Sequence, residues 1–152
     1  MSTGRLEAIA IRSASRAPML ERERAQVSCA AGVDGDFRGR PGDRQVTVLS
    51  SEAWRRACDH LGQSLPWTLR RANLLVSGLE IAHTTGARLE IGDATLEVTG
   101  ETDPCQVMDR QHPGLRAALG PDWRGGITCR VVRGGDVGVG DGVVLRAGGE
   151  GA

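Results

Sequence analysis

ARLEIGDATLEVTG, residues 87–100, alternates apolar and polar side chains on both sides of a Gly-Asp pair. Leu89 and Ile91 fall on one face before the pair, and Leu96 and Val98 after it. A period of two with a two-residue turn at Gly92-Asp93 predicts a β-hairpin. The same grammar recurs in GGITCRVVRGGDVGVGDGVVLR, residues 125–146, which predicts three strands broken at RGGD and VGDG. RLEAIAIRS (5–13), QVTVLS (45–50) and NLLVSG (73–78) read as further strands. Glycine is abundant, at 22 residues of 152. Short strands, tight turns and few helices predict a mainly β protein, a closed or nearly closed β-barrel with helical decoration.

Two helices fit the remaining pattern. After Ser50 or Ser51 as cap, Trp54, Ala57, Cys58 and Leu61 recur at i, i+3, i+4 and i+7, and Gly62 ends the run. HPGLRAALG (112–120) reads as a second, with Pro113 in its first turn. The length suits one domain, assigned to residues 1–147, with 148–152 as a disordered tail. AGVDGDFRGRPGDRQ (31–45) is a loop rich in Gly, Asp and Arg that can present backbone N–H groups and guanidinium groups together.

Composition excludes several functions. Acidic and basic residues balance at 19 each and no basic block stands out, so no nucleic-acid partner is expected. All the basic residues are Arg. Without lysine the chain cannot bind pyridoxal phosphate covalently or form a P-loop. No apolar run approaches the ~20 residues of a membrane span, and the start MSTGRLEAIAIRS has no signal-peptide core. A cytoplasmic protein with no membrane partner is expected. The four cysteines lack the spacing of a structural zinc site.

The cysteines divide by context. Cys58 lies on the helical apolar stripe, and Cys129 shares a face with Ile127 and Val131, so both read as core. Cys29 lies near the end of a strand in QVSCAAG and receives no role. Cys105, in TGETDPCQVMD (99–109), follows a turn set by Asp103-Pro104 and is expected to be accessible. A nucleophilic cysteine must be a thiolate, whereas a free thiol ionises near pH 8.5, roughly. The nearby Glu101, Asp103 and Asp109 oppose ionisation, so a reactive Cys105 needs a cation, with Arg44, Arg70, Arg71 and Arg124 as candidates. The alternative is an incidental turn residue. His60 and His112 receive no role.

The ordered segments GVDGD (32–36), RQVTVLSSE (44–52), RRANLLVSG (70–78), RLEIGDATLEVTG (88–100), DPCQVMD (103–109), RGGITCRVV (124–132) and GGDVGVGDGVVL (134–145) resemble the MOSC domain family in its small stand-alone form. The resemblance spans most of the chain; each segment is weak alone, and the ordered set is specific. It implies a β-barrel associated with molybdenum cofactor and with sulfur transfer through a cysteine. Cys105 matches the family cysteine, as a persulfide-forming thiol or as a metal ligand. Arg71 and Asn73 match an Arg-x-Asn motif, and Arg44 and Gln45 an Arg-Gln motif. Together with Asp36 and Arg124 they form the implied cofactor-binding set. The sulfur donor would be a separate pyridoxal-phosphate-dependent cysteine desulfurase. The second reading is a cofactor-binding module for a reductase of N-hydroxylated compounds, served by an electron-transfer protein. A non-catalytic barrel that makes a protein contact is the third. Many relatives carry His two residues after the Asp of the first loop; here Arg38 stands there, a residue suited to an anion.

Overall fold

The computed structural model describes residues 1–148, so residues 149–152 of the expected tail lie outside the described residues. In chain order the strands are β1 Ser2–Ile11, β2 Leu20–Arg22, β3 Arg24–Ser28, β4 Gly32–Val33, β5 Val46–Ser50, β6 Leu74–Ser77, β7 Arg88–Ile91, β8 Ala94–Glu101, β9 Ile127–Arg133, β10 Gly135–Gly138 and β11 Gly142–Arg146. The helices are α1 Ser51–Leu61, α2 Gln106–Gln111 and α3 Leu115–Leu119. A 3-10 turn at Trp67–Arg70 leads into β6.

Seven strands close a barrel in the order β11-β7-β8-β9-β5-β6-β1, and the β1–β11 pairing completes the ring. Strand β2 extends the sheet beside β1, and β10, β3 and β4 form a second, three-stranded sheet. The Gly92-Asp93 hairpin forms as its alternation predicts, with Ile91 opposite Ala94. Closure removes the sheet edge along most of the ring. The alternating side chains Leu6, Ile9, Val46, Val48, Leu74, Leu89, Leu96 and Ile127 fill the interior.

Strand β5 serves two cores. Val46 and Val48 face the barrel, while Leu49 packs with Trp54, Ala57, Leu115 and Leu119 under the helices. That period-two split fastens the helical layer to the outside of the barrel. Of the two candidate caps, Ser50 caps α1: its Oγ accepts the Ala53 N–H at 3.1 Å, and left-handed Gly62 ends the helix.

Three expectations are corrected. The helix expected over 112–120 is confined to Leu115–Leu119, and Pro113 stands outside it. Gly114, left-handed with φ 85°, separates them. The segment before it, expected to be turn, contains α2. Part of the 31–45 loop is strand β4.

Candidate functional site

Cys105 stands at the start of α2 with extended backbone, and its carbonyl accepts the Met108 N–H at 2.9 Å. It is exposed. Strand β8 carries the chain as far as Glu101, opposite the first residue of β9, and Thr102 to Pro104 lead from there to Cys105. The site is therefore anchored on a barrel strand.

Arg70 ends the 3-10 turn and is 7% exposed. Its Nε donates to the Gly125 carbonyl at 2.8 Å, one Nη to the Thr102 carbonyl at 2.9 Å, and the other to Met108 Sδ at 3.5 Å. Burial pushes the guanidinium down to about 10, and nearby Cys105 and Asp103 oppose that shift. Of the four candidate cations, Arg70 is thus the one that holds residues on both sides of Cys105, Thr102 and Met108. The approach needs Gly125: a Cβ there would lie 2.7 Å from the Thr102 carbonyl and 3.2 Å from an Arg70 Nη.

Arg71 directs its charge elsewhere. Its backbone is left-handed, with φ 64°, and an Nη donates to the Ala17 carbonyl at 2.6 Å. It belongs to a second group with Arg12 and Arg38. Arg12 is lowered chiefly by burial, then by the charges of Arg71 and Arg38, and Asp36 works against them. Asp36 accepts the backbone N–H groups of Arg12 and Arg38 at 3.1 and 3.2 Å, so its carboxylate orders the loop beneath these cations. Arg12 also lies 6.0 Å from the Phe37 ring centroid.

The other expected cofactor-binding residues take different places. Gln45 is 3% exposed; its Nε2 donates to the carbonyls of Cys29 and Gly39 at 2.8 and 3.1 Å, and its Oε1 accepts the Val131 N–H at 2.9 Å. Asn73 is also buried; its Oδ1 accepts from the Thr47 N–H and hydroxyl, and its Nδ2 donates to the Ala10 carbonyl. Both act as internal clamps, Gln45 on the 29–39 loop and Asn73 between β1, β5 and β6. Arg44 is exposed, on the loop before β5. Arg124 donates to the Ala118 carbonyl at 3.1 Å and ties α3 to the following turn.

On the other side of the cysteine turn, the carboxyl groups of Glu101 and Asp103 face each other. Burial, then the Asp103 charge, raise the Glu101 carboxyl, and His83 acts the other way. His83 packs against Trp123 with ring centroids 4.8 Å apart and planes tilted by 47°. His83, Asp122 and Trp123 all have left-handed backbone, a concentration of strain beside the cysteine turn. Sequence reasoning missed Arg12, His83 and Trp123; each reaches the site through long-range packing.

Cys58 and Cys129 are buried as expected, and burial pushes the Cys129 thiol up. Cys29 is exposed as well, so Cys105 is not alone in accessibility; the Cys29 thiol donates to the Val132 carbonyl at 3.6 Å. A separate cavity of about 450 Å³, lined by Trp54, Cys58 and Leu65 beside α1, shares no residue with the site. Among the described residues no three His, Cys, Asp or Glu side chains are grouped to hold a metal ion, and no helix is long and apolar enough to cross a membrane.

A closed barrel with a cysteine turn leaving one strand defines the class, and the MOSC domain model matches residues 28–144. The chain belongs to the MOSC domain family. No curated protein matches it significantly. Among solved structures, YuaD from Bacillus subtilis superposes with a TM-score of 0.80 at 22% identity, covering 95% of this chain and 96% of that one. YiiM from Escherichia coli gives 0.72 at 15% identity, covering 94% and 70%. YiiM from Geobacillus stearothermophilus gives 0.71 at 20%, covering 99% and 76%. At these identities the likeness concerns the fold.

Proposed function

We propose that this protein is a sulfur carrier linked to molybdenum cofactor and loaded at Cys105. The observation that supports this most is an exposed thiol beside a buried guanidinium that has no ion-pair partner among the described residues. The thiolate is the nucleophile in such a transfer. In loading, the Cys105 thiolate attacks the terminal sulfur of a donor persulfide. A new S–S bond forms at Cys105, the donor's S–S bond breaks, and the donor sulfur leaves as a thiolate. No net oxidation occurs. Lacking lysine, the chain takes its sulfur from another polypeptide, a pyridoxal-phosphate-dependent desulfurase.

The residues present fit the cofactor. Arg12, Arg38 and Arg71 offer the forked donors that suit a phosphate, and Cys105 offers a soft ligand for a sulfur-bearing metal. When bound, the cofactor would supply a metal centre that accepts sulfur or, in the second reading, passes electrons to an N-hydroxylated substrate. That second reading, a binding module for a reductase fed by an electron-transfer protein, draws its support from the same arginine group.

The test is sulfur loading from a desulfurase, followed by intact mass and metal analysis. One added sulfur on wild-type protein, absent from Cys105→Ser, supports the carrier. Molybdenum near one per chain without persulfide supports the binding module. Equal loading of Cys105→Ser rejects the carrier.

A further inference from the structure

Of the chain's one phenylalanine and three tryptophans, only Phe37 is exposed. Each tryptophan has a partner: Trp54 Nε1 donates to the Leu65 carbonyl, Trp67 Nε1 to Glu21, and Trp123 packs against His83. Phe37 is 46% exposed, and Arg12 Cζ lies over its ring at 6.0 Å, the outer reach of a cation–π contact. The loop that carries it is fixed from below. The Phe37 N–H donates to the Arg12 carbonyl at 2.7 Å and the Asp36 N–H to the Val33 carbonyl at 3.0 Å, while the Gly39 carbonyl accepts Gln45 Nε2 at 3.1 Å. An aromatic ring stabilises a fold by being buried, so a ring held in solvent on an anchored loop adds little to packing and is preorganised for a partner.

The cations stand on the same rim. The Ala10 N–H donates to the Asn73 carbonyl at 2.7 Å, extending the β1–β6 pairing of Ile9 with Leu74. Just beyond that pair, Arg12 follows β1 and Arg71 precedes β6, while Arg38 follows Phe37 directly. Among the described residues none of these three arginines forms an ion pair. Asp36, the acid that faces Arg12, already accepts backbone N–H groups on both carboxylate oxygens. We propose that Phe37 is the ring-binding residue of this site: a ligand that joins a phosphate to a planar heterocycle stacks its ring on the solvent side of Phe37, and its phosphate takes the guanidiniums of Arg12, Arg38 and Arg71. A π face accepts any flat ring and the arginines demand the anion, so tight binding needs both parts in one molecule. This deepens the proposed function, on which it rests for the ligand's identity. A pterin and a purine nucleotide are the two sources of such chemistry.

The experiment is titration calorimetry on the full chain at fixed ionic strength, with neopterin monophosphate, guanosine monophosphate and glycerol phosphate. Wild type is expected to bind a ring-bearing phosphate at least tenfold more tightly than glycerol phosphate. Phe37→Ala should lose about tenfold for the ring-bearing ligand, the contribution of one stacked ring, and nothing for glycerol phosphate. Phe37→Trp should keep the affinity. Phe37→Leu should lose it, because leucine keeps apolar bulk without a π face. Wild type that binds neither ring-bearing ligand better than glycerol phosphate overturns the proposal, and so does Phe37→Leu with wild-type affinity. A Phe37→Ala protein that folds and loses both kinds of ligand equally also overturns it; if that variant does not fold, the wild-type preference and the Trp and Leu variants decide. Tighter binding of the pterin than of the nucleotide supports the cofactor as the source, and the reverse order, abolished in Phe37→Ala, supports a nucleotide. Persulfide loading and molybdenum analysis on the same preparation are scored separately: their failure rejects the proposed function, while the calorimetry still judges Phe37.

Discussion

Replacing Gln45 with alanine separates two roles for that residue, ligand group and internal clamp. The side chain joins three backbone groups: the Cys29 and Gly39 carbonyls and the Val131 N–H. Gly39 and Val131 are buried, so their groups lose a partner that water cannot readily replace. Cys29 is exposed, and its carbonyl can turn to solvent. Each of the two buried orphans costs ~1–3 kcal/mol, so Gln45→Ala should lose roughly 2–6 kcal/mol. At ~2–4 °C per kcal/mol for a chain of this size, the melting temperature should fall by about 4–24 °C. Gln45→Glu keeps the acceptor but turns a carboxylate toward two carbonyl oxygens, and should be at least as destabilising. Urea unfolding with an unchanged m-value, read beside a thermal melt, measures both. A Gln45→Ala protein melting within about 2 °C of wild type would refute the clamp and leave the amide free for a ligand, as the Arg-Gln motif implies.

Gly125→Ala should destabilise the fold, because the new Cβ displaces either the Thr102 carbonyl or the Arg70 guanidinium; a urea melt beside wild type reads it. Cys129 should stay unlabelled by iodoacetamide in the native protein at pH 8, since burial pushes its thiol up, and labelling of the folded state would contradict the packing. Glu101 has a raised carboxyl, so the folded state binds that proton more tightly than the unfolded chain does. Its contribution therefore favours folding as pH falls through the raised value, and opposes folding above it. Glu101→Gln should accordingly gain stability relative to wild type at pH 7 and lose that advantage near pH 4, as melts across this window would show.

Features that are local in the chain were legible in it. The 88–101 hairpin declares itself by alternation around Gly92-Asp93, and α1 by a cap, a stripe and a closing glycine. Cys58 and Cys129 were assigned to the core because each completes an apolar period. Strand β2 carries no such signal, for its three residues are all exposed. Helix α2 buries only Met108, and one apolar residue makes no stripe. The site was legible in part: Cys105 was singled out by the turn before it, and Arg70 was one of four candidate cations. Which cation reaches the thiol depends on β8, β9 and the 3-10 turn meeting, and no local pattern encodes that. Gln45 and Asn73 show the reverse difficulty. A polar residue at a strand entrance looks the same in sequence whether it binds a ligand or, as here, closes a loop from within.

The two adjacent arginines carry the last argument. Arg70 and Arg71 serve different groups because the chain turns left-handed at Arg71, at φ 64°. A side-chain-bearing residue in that conformation costs ~1–2 kcal/mol relative to glycine. Arg71→Gly would relieve this strain. It would also add roughly 0.5–1 kcal/mol of unfolded-state freedom and lose the bond to the Ala17 carbonyl, worth ~1 kcal/mol. These terms nearly cancel, so the variant should fold with stability within about 1 kcal/mol of wild type. Tolerance of that kind identifies a strained residue kept for its side chain and not for the fold. Binding should respond differently. Removing one of three clustered guanidiniums should weaken phosphate-bearing pterin binding at least tenfold, about 1.4 kcal/mol. Titration calorimetry with the cofactor, set beside a urea melt, tests both halves. Unchanged affinity with unchanged stability would place the phosphate away from Arg12, Arg38 and Arg71, and would leave the strain at Arg71 without a function in this site.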